Sequence, residues 1–148
     1  WLFPQGWWTK LDERQPISDA MKPNARVGFV HRLDWHRDDA VRDKKLVVYL
    51  RNAPSGHGEF YNGFADRFAD AQSEISAAIE GTKYTVTGNK SNVLRGEYKI
   101  NVDGHDDFFD AYLNALAEAI IEGAVSNKKL VAVIDRLYEE TIEEDLSL

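Results

Sequence analysis

Tyr84 to Val102, YTVTGNKSNVLRGEYKINV, holds two extended runs on either side of a turn. Its second half alternates. Leu94, Gly96, Tyr98, Ile100 and Val102 fall on one side of an extended chain, and Arg95, Glu97, Lys99 and Asn101 fall on the other. A period of two is what a β-strand imposes. Gly88 to Asn92 supplies turn-forming residues between two runs that hold β-branched and aromatic side chains, so the segment reads as a hairpin. One apolar face and one polar face is the pattern of an antiparallel sheet packed on one side and wet on the other.

The flanking segments extend the same reading. Upstream, Glu59 to Glu80 carries Phe60, Phe64, Phe68, Ala71, Ile75 and Ile79 at spacings of three and four, one helical stripe closed by Gly81. Before it, Leu46, Val47, Val48, Tyr49 and Leu50 form an apolar run that ends at Asn52, Pro54 and Gly56. Arg26 to Trp35 alternates with Val27, Phe29, His31, Leu33 and Trp35 on one face, and the charged stretch from His36 to Lys45 is expected to join the two as a long hairpin turn. Downstream, Asp103 and Gly104 turn the chain. Asp106 or Asp107 caps a helix whose expected stripe is Phe109, Tyr112, Leu113, Leu116 and Ile120. After Gly123, Ser126 is expected to cap a last helix with Leu130, Val131, Ile134, Leu137, Tyr138 and Ile142 inward. The order β-β-α-β-β-α-α predicts an α+β fold, an antiparallel sheet of about four strands with helices on one face.

Length and composition agree. The chain has 148 residues, 43% hydrophobic and 29% charged, with a formal net charge of −7. Domains run to ~100–200 residues, so one core is expected. Residues 1–24 hold three of the four tryptophans and three of the four prolines without a sustained period; they are expected to be an irregular arm, with residues 25–148 as a single α+β domain. Collagenous, disordered and disulfide-dependent classes are excluded. The absence of cysteine also removes thiolate metal sites and cysteine nucleophiles. No apolar run approaches the ~18–20 residues of a membrane span, so a soluble cytoplasmic chain with no membrane partner is expected. It begins at Trp1 with its only methionine at Met21, which suggests a piece of a longer polypeptide. Charge is uneven: residues 1–57 are net +3 and residues 58–148 net −10.

Several clusters could carry chemistry. His31 and His36, near Asp38 and Asp39, are candidate metal ligands, although an odd separation on a strand points the two rings to opposite faces. His105 among Asp103, Asp106 and Asp107 is a third candidate, at a place where turn formation and capping already use the acids. His57 and Glu59, beside Gly56 and Gly58, are a similar turn before a helix. Glu97 and Lys99 on one strand face form half of a metal-dependent nuclease arrangement, in which a carboxylate holds Mg²⁺ and a lysine positions water. The other half, an acid on an adjacent strand, is missing from Tyr84 to Thr87. Arg26, Arg32, Arg37, Arg42, Lys44, Lys45 and Arg51, with Trp35 and Tyr49, make the first hairpin basic and aromatic, which suits nucleic acid. Glu139, Glu140, Glu143, Glu144 and Asp145 form an acidic helix end.

The run from Val27 through Ile121 resembles the accessory domain of unknown function that follows PD-(D/E)XK nuclease modules in some bacterial defence-type proteins. The likeness lies in a strand pair ending in Lys45-Leu-Val-Val-Tyr-Leu50, the helix with Phe60, Phe64, Phe68 and Ile75, a further strand pair, and an aromatic helix start at Phe108 and Phe109. It implies an attached, non-catalytic module. The expectation is therefore a binding or regulatory domain, part of a larger protein and associated with nucleic acid or defence. Its contact residues would be Arg26, Arg32, Trp35, Arg37 and Arg51, its partner a protein or the remainder of the larger chain with nucleic acid besides, and it would need no cofactor. Two other readings stand beside it: a Mg²⁺-dependent nuclease or phosphodiesterase using Glu97 and Lys99, and an acidic inhibitor or immunity-type protein that binds a basic partner.

Overall fold

A computed structural model describes residues 27–31, 40–52 and 58–145; the expected arm, Arg26 and residues 32–39 lie outside the described residues. The elements are β1 (Val27–Val30), β2 (Lys45–Asn52), α1 (Gly58–Asp70), α2 (Gln72–Ile79), β3 (Tyr84–Val86), β4 (Asn92–Lys99), α3 (Phe108–Ile120), a π-helical turn (Ile121–Val125) and α4 (Lys128–Asp145). The strands form one antiparallel four-stranded sheet in the order β1-β2-β4-β3. The fold is α+β, as the alternation predicts.

Register explains which face is packed. Leu46 lies opposite Tyr98, Val48 opposite Gly96 and Leu50 opposite Leu94, and Phe29 opposite Leu50 on the β1 side. These side chains, with Val27 and Tyr84, are buried in the core with the helices. Phe60 and Phe64 of α1 stack at 6.0 Å, and Phe60 meets Tyr138 of α4 edge-on at 5.3 Å. Gly96 is required there, because a Cβ on it would lie 2.9 Å from both the Tyr84 and the Tyr98 ring.

Four local features differ from expectation. The helix expected over 59–80 is two helices with Ala71 between them, where φ −84° and ψ 12° open one turn; Phe60, Phe64, Phe68, Ile75 and Ile79 still share the buried side. The connection from β1 to β2 is not a plain turn, since residues 40–42 are helical and Ala40 is fully buried. Asn127, not Ser126, caps α4: its Oδ1 accepts from Leu130 N at 3.0 Å while its Nδ2 donates to Ala78 O of α2 at 2.8 Å. The cap of α3 is Asp107, which accepts from Asp110 N at 2.8 Å.

The fourth difference is a rotation of α3. Of the expected stripe, Tyr112 is buried, Leu116 packs against the core and Ile120 is half-buried, but Phe109 and Leu113 are exposed, and Ala111, Ala115 and Ala119 take the buried side with Tyr112. Gly123 continues that row rather than ending the helix, and the chain runs on as a π turn closed by Ser126 N to Ile121 O at 2.8 Å. Small residues let the helix sit close to the sheet. A Cβ on Gly123 would come within 2.6 Å of the Tyr84 hydroxyl and 2.9 Å of Phe29.

Candidate functional site

The polar face of the sheet gathers charged side chains from two strands remote in sequence. Lys45, Tyr49 and Arg51 alternate along β2 with the buried Leu46, Val48 and Leu50, so they point away from the core. On β4 the same alternation turns Arg95, Glu97 and Lys99 outward. Pairing brings the two rows together, with Lys45 opposite Lys99, Val47 opposite Glu97 and Tyr49 opposite Arg95. Lys45 and Lys99 are exposed, and Tyr49, Arg51, Arg95 and Glu97 half-buried. Val30 and Val47 on this face are buried, so the accessible part is the outer end of the β2–β4 seam.

One carboxylate organises the cations. Glu97 Oε1 lies 2.8 Å from Lys45 Nζ, and Arg95 Nη2 donates to Glu97 Oε2 at 2.8 Å. The hydrogen bond from Lys45, then that from Arg95, hold the Glu97 carboxyl below its ordinary range, and Glu97 in turn raises the Lys45 ammonium. Tyr49 lies opposite Arg95 across the strand pair and interacts with it. Among the described residues, the outward charged side chains of β2 and β4 are Lys45, Arg51, Arg95 and Lys99 with the carboxylate of Glu97, and Asp43 acts on Lys45 from the strand's entrance.

The residues singled out in the sequence separate accordingly. Glu97 and Lys99 do share a face, but both carboxylate oxygens of Glu97 are engaged by cations, and among the described residues no three His, Asp or Glu side chains gather as a metal site would require. Glu97 acts here as a counter-ion. His31 lies on the core side, its Nδ1 2.7 Å from Val47 O and its ring 5.6 Å from the Tyr112 ring. His105 sits beside the α3 cap, with Nδ1 3.2 Å from Asp110 Oδ2. Arg51 belongs to the polar face, opposite Gly28 of β1. Arg26, Arg32, Trp35, His36, Arg37 and His57 lie outside the described residues. The juxtaposition that sequence reasoning missed is Lys45–Glu97–Arg95–Tyr49. No local signal carries it, because β2 and β4 are remote in sequence.

A second polar group is buried under the π turn. Tyr98 donates to Glu122 Oε2 at 2.5 Å, Tyr84 donates to Ala119 O at 3.0 Å, and the two rings lie edge to face at 6.0 Å. Burial pushes the Tyr84 phenol up to about 12; burial and the bond to Glu122 push Tyr98 higher still. Both therefore stay protonated at neutral pH and serve as donors that fix the π turn to the sheet. A cleft of about 320 Å³ opens between α1 and the β3–β4 turn, lined by Phe68, Val86 and Val93 and rimmed by the Asp66–Lys90 pair at 3.1 Å.

Among the described residues, no helix is long and apolar enough to cross a membrane. Comparison of the chain with protein-family models, with curated proteins and with solved structures finds no match in any of the three.

Proposed function

We propose that the protein is a non-catalytic binding domain of a larger cytoplasmic polypeptide, and that the polar face of its sheet contacts the phosphate backbone of a nucleic acid. The observation that carries this reading is the row of Lys45, Arg95 and exposed Lys99 brought together around Glu97 by the β2–β4 pairing, among the described residues of a chain whose net charge is −7. Phosphate contacts need lysine and arginine on one surface, not an overall basic chain. The Glu97 bridge pre-positions two of the cations, and Tyr49 adds a flat side chain to the same surface. The resemblance to the accessory domains of unknown function that follow nuclease modules supports an attached, non-catalytic module.

The test is fluorescence anisotropy with labelled single-stranded and duplex oligonucleotides across a salt series. Binding should weaken steeply with salt, and Lys99→Glu should weaken it across all sequences and lower the salt slope by about one or more. Lys99 is exposed and outside the Glu97 bridge, so its reversal leaves the fold intact. No binding at low salt, or binding indifferent to Lys99, would reject the proposal.

A further inference from the structure

The rotation of α3 leaves a row of large apolar side chains exposed. Phe109 is 64% exposed, Leu113 44%, Ile121 51% and Val125 63%. With exposed Ala117 they recur every four residues along α3 and the π turn, which places them on one continuous stripe. Contiguous apolar exposure of this kind on a folded domain marks an interaction surface. Phe109 and Leu113 outside while Ala111, Ala115 and Ala119 are inside is not what solvent alone favours.

The charge beside the stripe specifies the occupant. Asp110, Asn114, Glu118 and Glu122 also recur every four residues and form the adjacent row, with Asp106 and Asp107 at the helix entrance. From Ile100 to Asn127 the chain has six carboxylates and neither lysine nor arginine. Lys83, which pairs with Glu118, is a cation facing this row from β3's approach. An anionic lipid surface would be repelled. A second copy packed antiparallel would set the acidic row against itself, since like flanks meet in that arrangement. We propose that the stripe docks a cationic amphipathic helix of a partner protein. Its apolar residues, three or four apart, would cover Phe109, Leu113, Ile121 and Val125, and its flanking lysines or arginines would face Asp106, Asp110 and Glu118. This surface is independent of the sheet face, and either can fail without the other.

The probe is a fluorescein-labelled amphipathic peptide of leucine and lysine, with an oligolysine of equal charge as control. The leucine–lysine peptide should bind one to one and more tightly than the oligolysine. Phe109→Ser with Leu113→Ser should weaken it about tenfold or more while leaving oligonucleotide binding unchanged. Asp106→Asn should weaken it less, with a smaller salt dependence. Should the serine variant fail to fold, amide shift mapping on the unaltered chain decides: residues 109–125 should move on adding the peptide. Four results would overturn the proposal. These are absence of binding, equal affinity for oligolysine, shifts confined to the acidic end of α4, and a dimer of the chain that Phe109→Ser dissociates, which would make a second copy the occupant.

Discussion

Gly123 is the residue on which the position of α3 turns. It has no Cβ where one would meet the Tyr84 hydroxyl at 2.6 Å and Phe29 at 2.9 Å, and both of those side chains are held in the core. Gly123→Ala should therefore cost about 1–3 kcal/mol, the usual penalty for overfilling a packed site, and a thermal melt would read it. A melt indistinguishable from the unaltered chain would mean the helix has room to retreat. Glu97 makes a prediction of another kind. Its carboxyl is held low by Lys45 and Arg95, so the folded chain keeps it ionised where the unfolded chain would protonate it. The stability this brings is present above the ordinary value of 4.5 and is lost as pH falls through the lower folded value. Glu97→Gln should accordingly lower the melting temperature at neutral pH, and the gap should close in acid. A gap that is constant with pH would show that the pairing contributes nothing through ionisation.

At the scale of elements, capping by Asn127 links two helices through one side chain. It accepts from Leu130 N at the start of α4 and donates to Ala78 O, one of the last carbonyls of α2 that no helical amide reaches. Asn127→Ala should cost about 1–2 kcal/mol, while Ser126→Ala should be close to neutral; equal costs would move the cap back to Ser126. The strands, the aromatic stripe of α1 and α2 and the stop at Gly81 could be read from the sequence, since each rests on a local period or on a glycine whose φ is +78°. The orientation of α3 could not. The large side chains Phe109, Tyr112, Leu113, Leu116 and Ile120 span a wide arc, and the helix keeps Tyr112 and Leu116 toward the core while Phe109 and Leu113 turn out and the row Ala111–Ala115–Ala119 turns in. The choice is made by the sheet, where Gly96 and Gly123 leave space only for a close approach. The candidate site was half legible for a similar reason. The alternation that exposes Arg95, Glu97 and Lys99 is local, whereas the placement of Lys45 and Tyr49 beside them depends on pairing between strands 46 to 54 residues apart.

Across the described residues, charge is uneven. The helices carry more carboxylates than cations, and the outward face of β2 and β4 holds Lys45, Arg51, Arg95 and Lys99 with Glu97. A field divided this way orients an approaching polyanion toward the sheet and a polycation toward the helices. Amide shift mapping of the isotopically labelled chain with a short oligonucleotide at low salt decides whether the sheet is the working surface. Shifts should concentrate on β2 and β4, at Lys45, Tyr49, Arg95 and Lys99, with none along residues 109–125. Shifts on α3 or α4 with a silent sheet, or no shifts at all, would show that nucleic acid does not bind there.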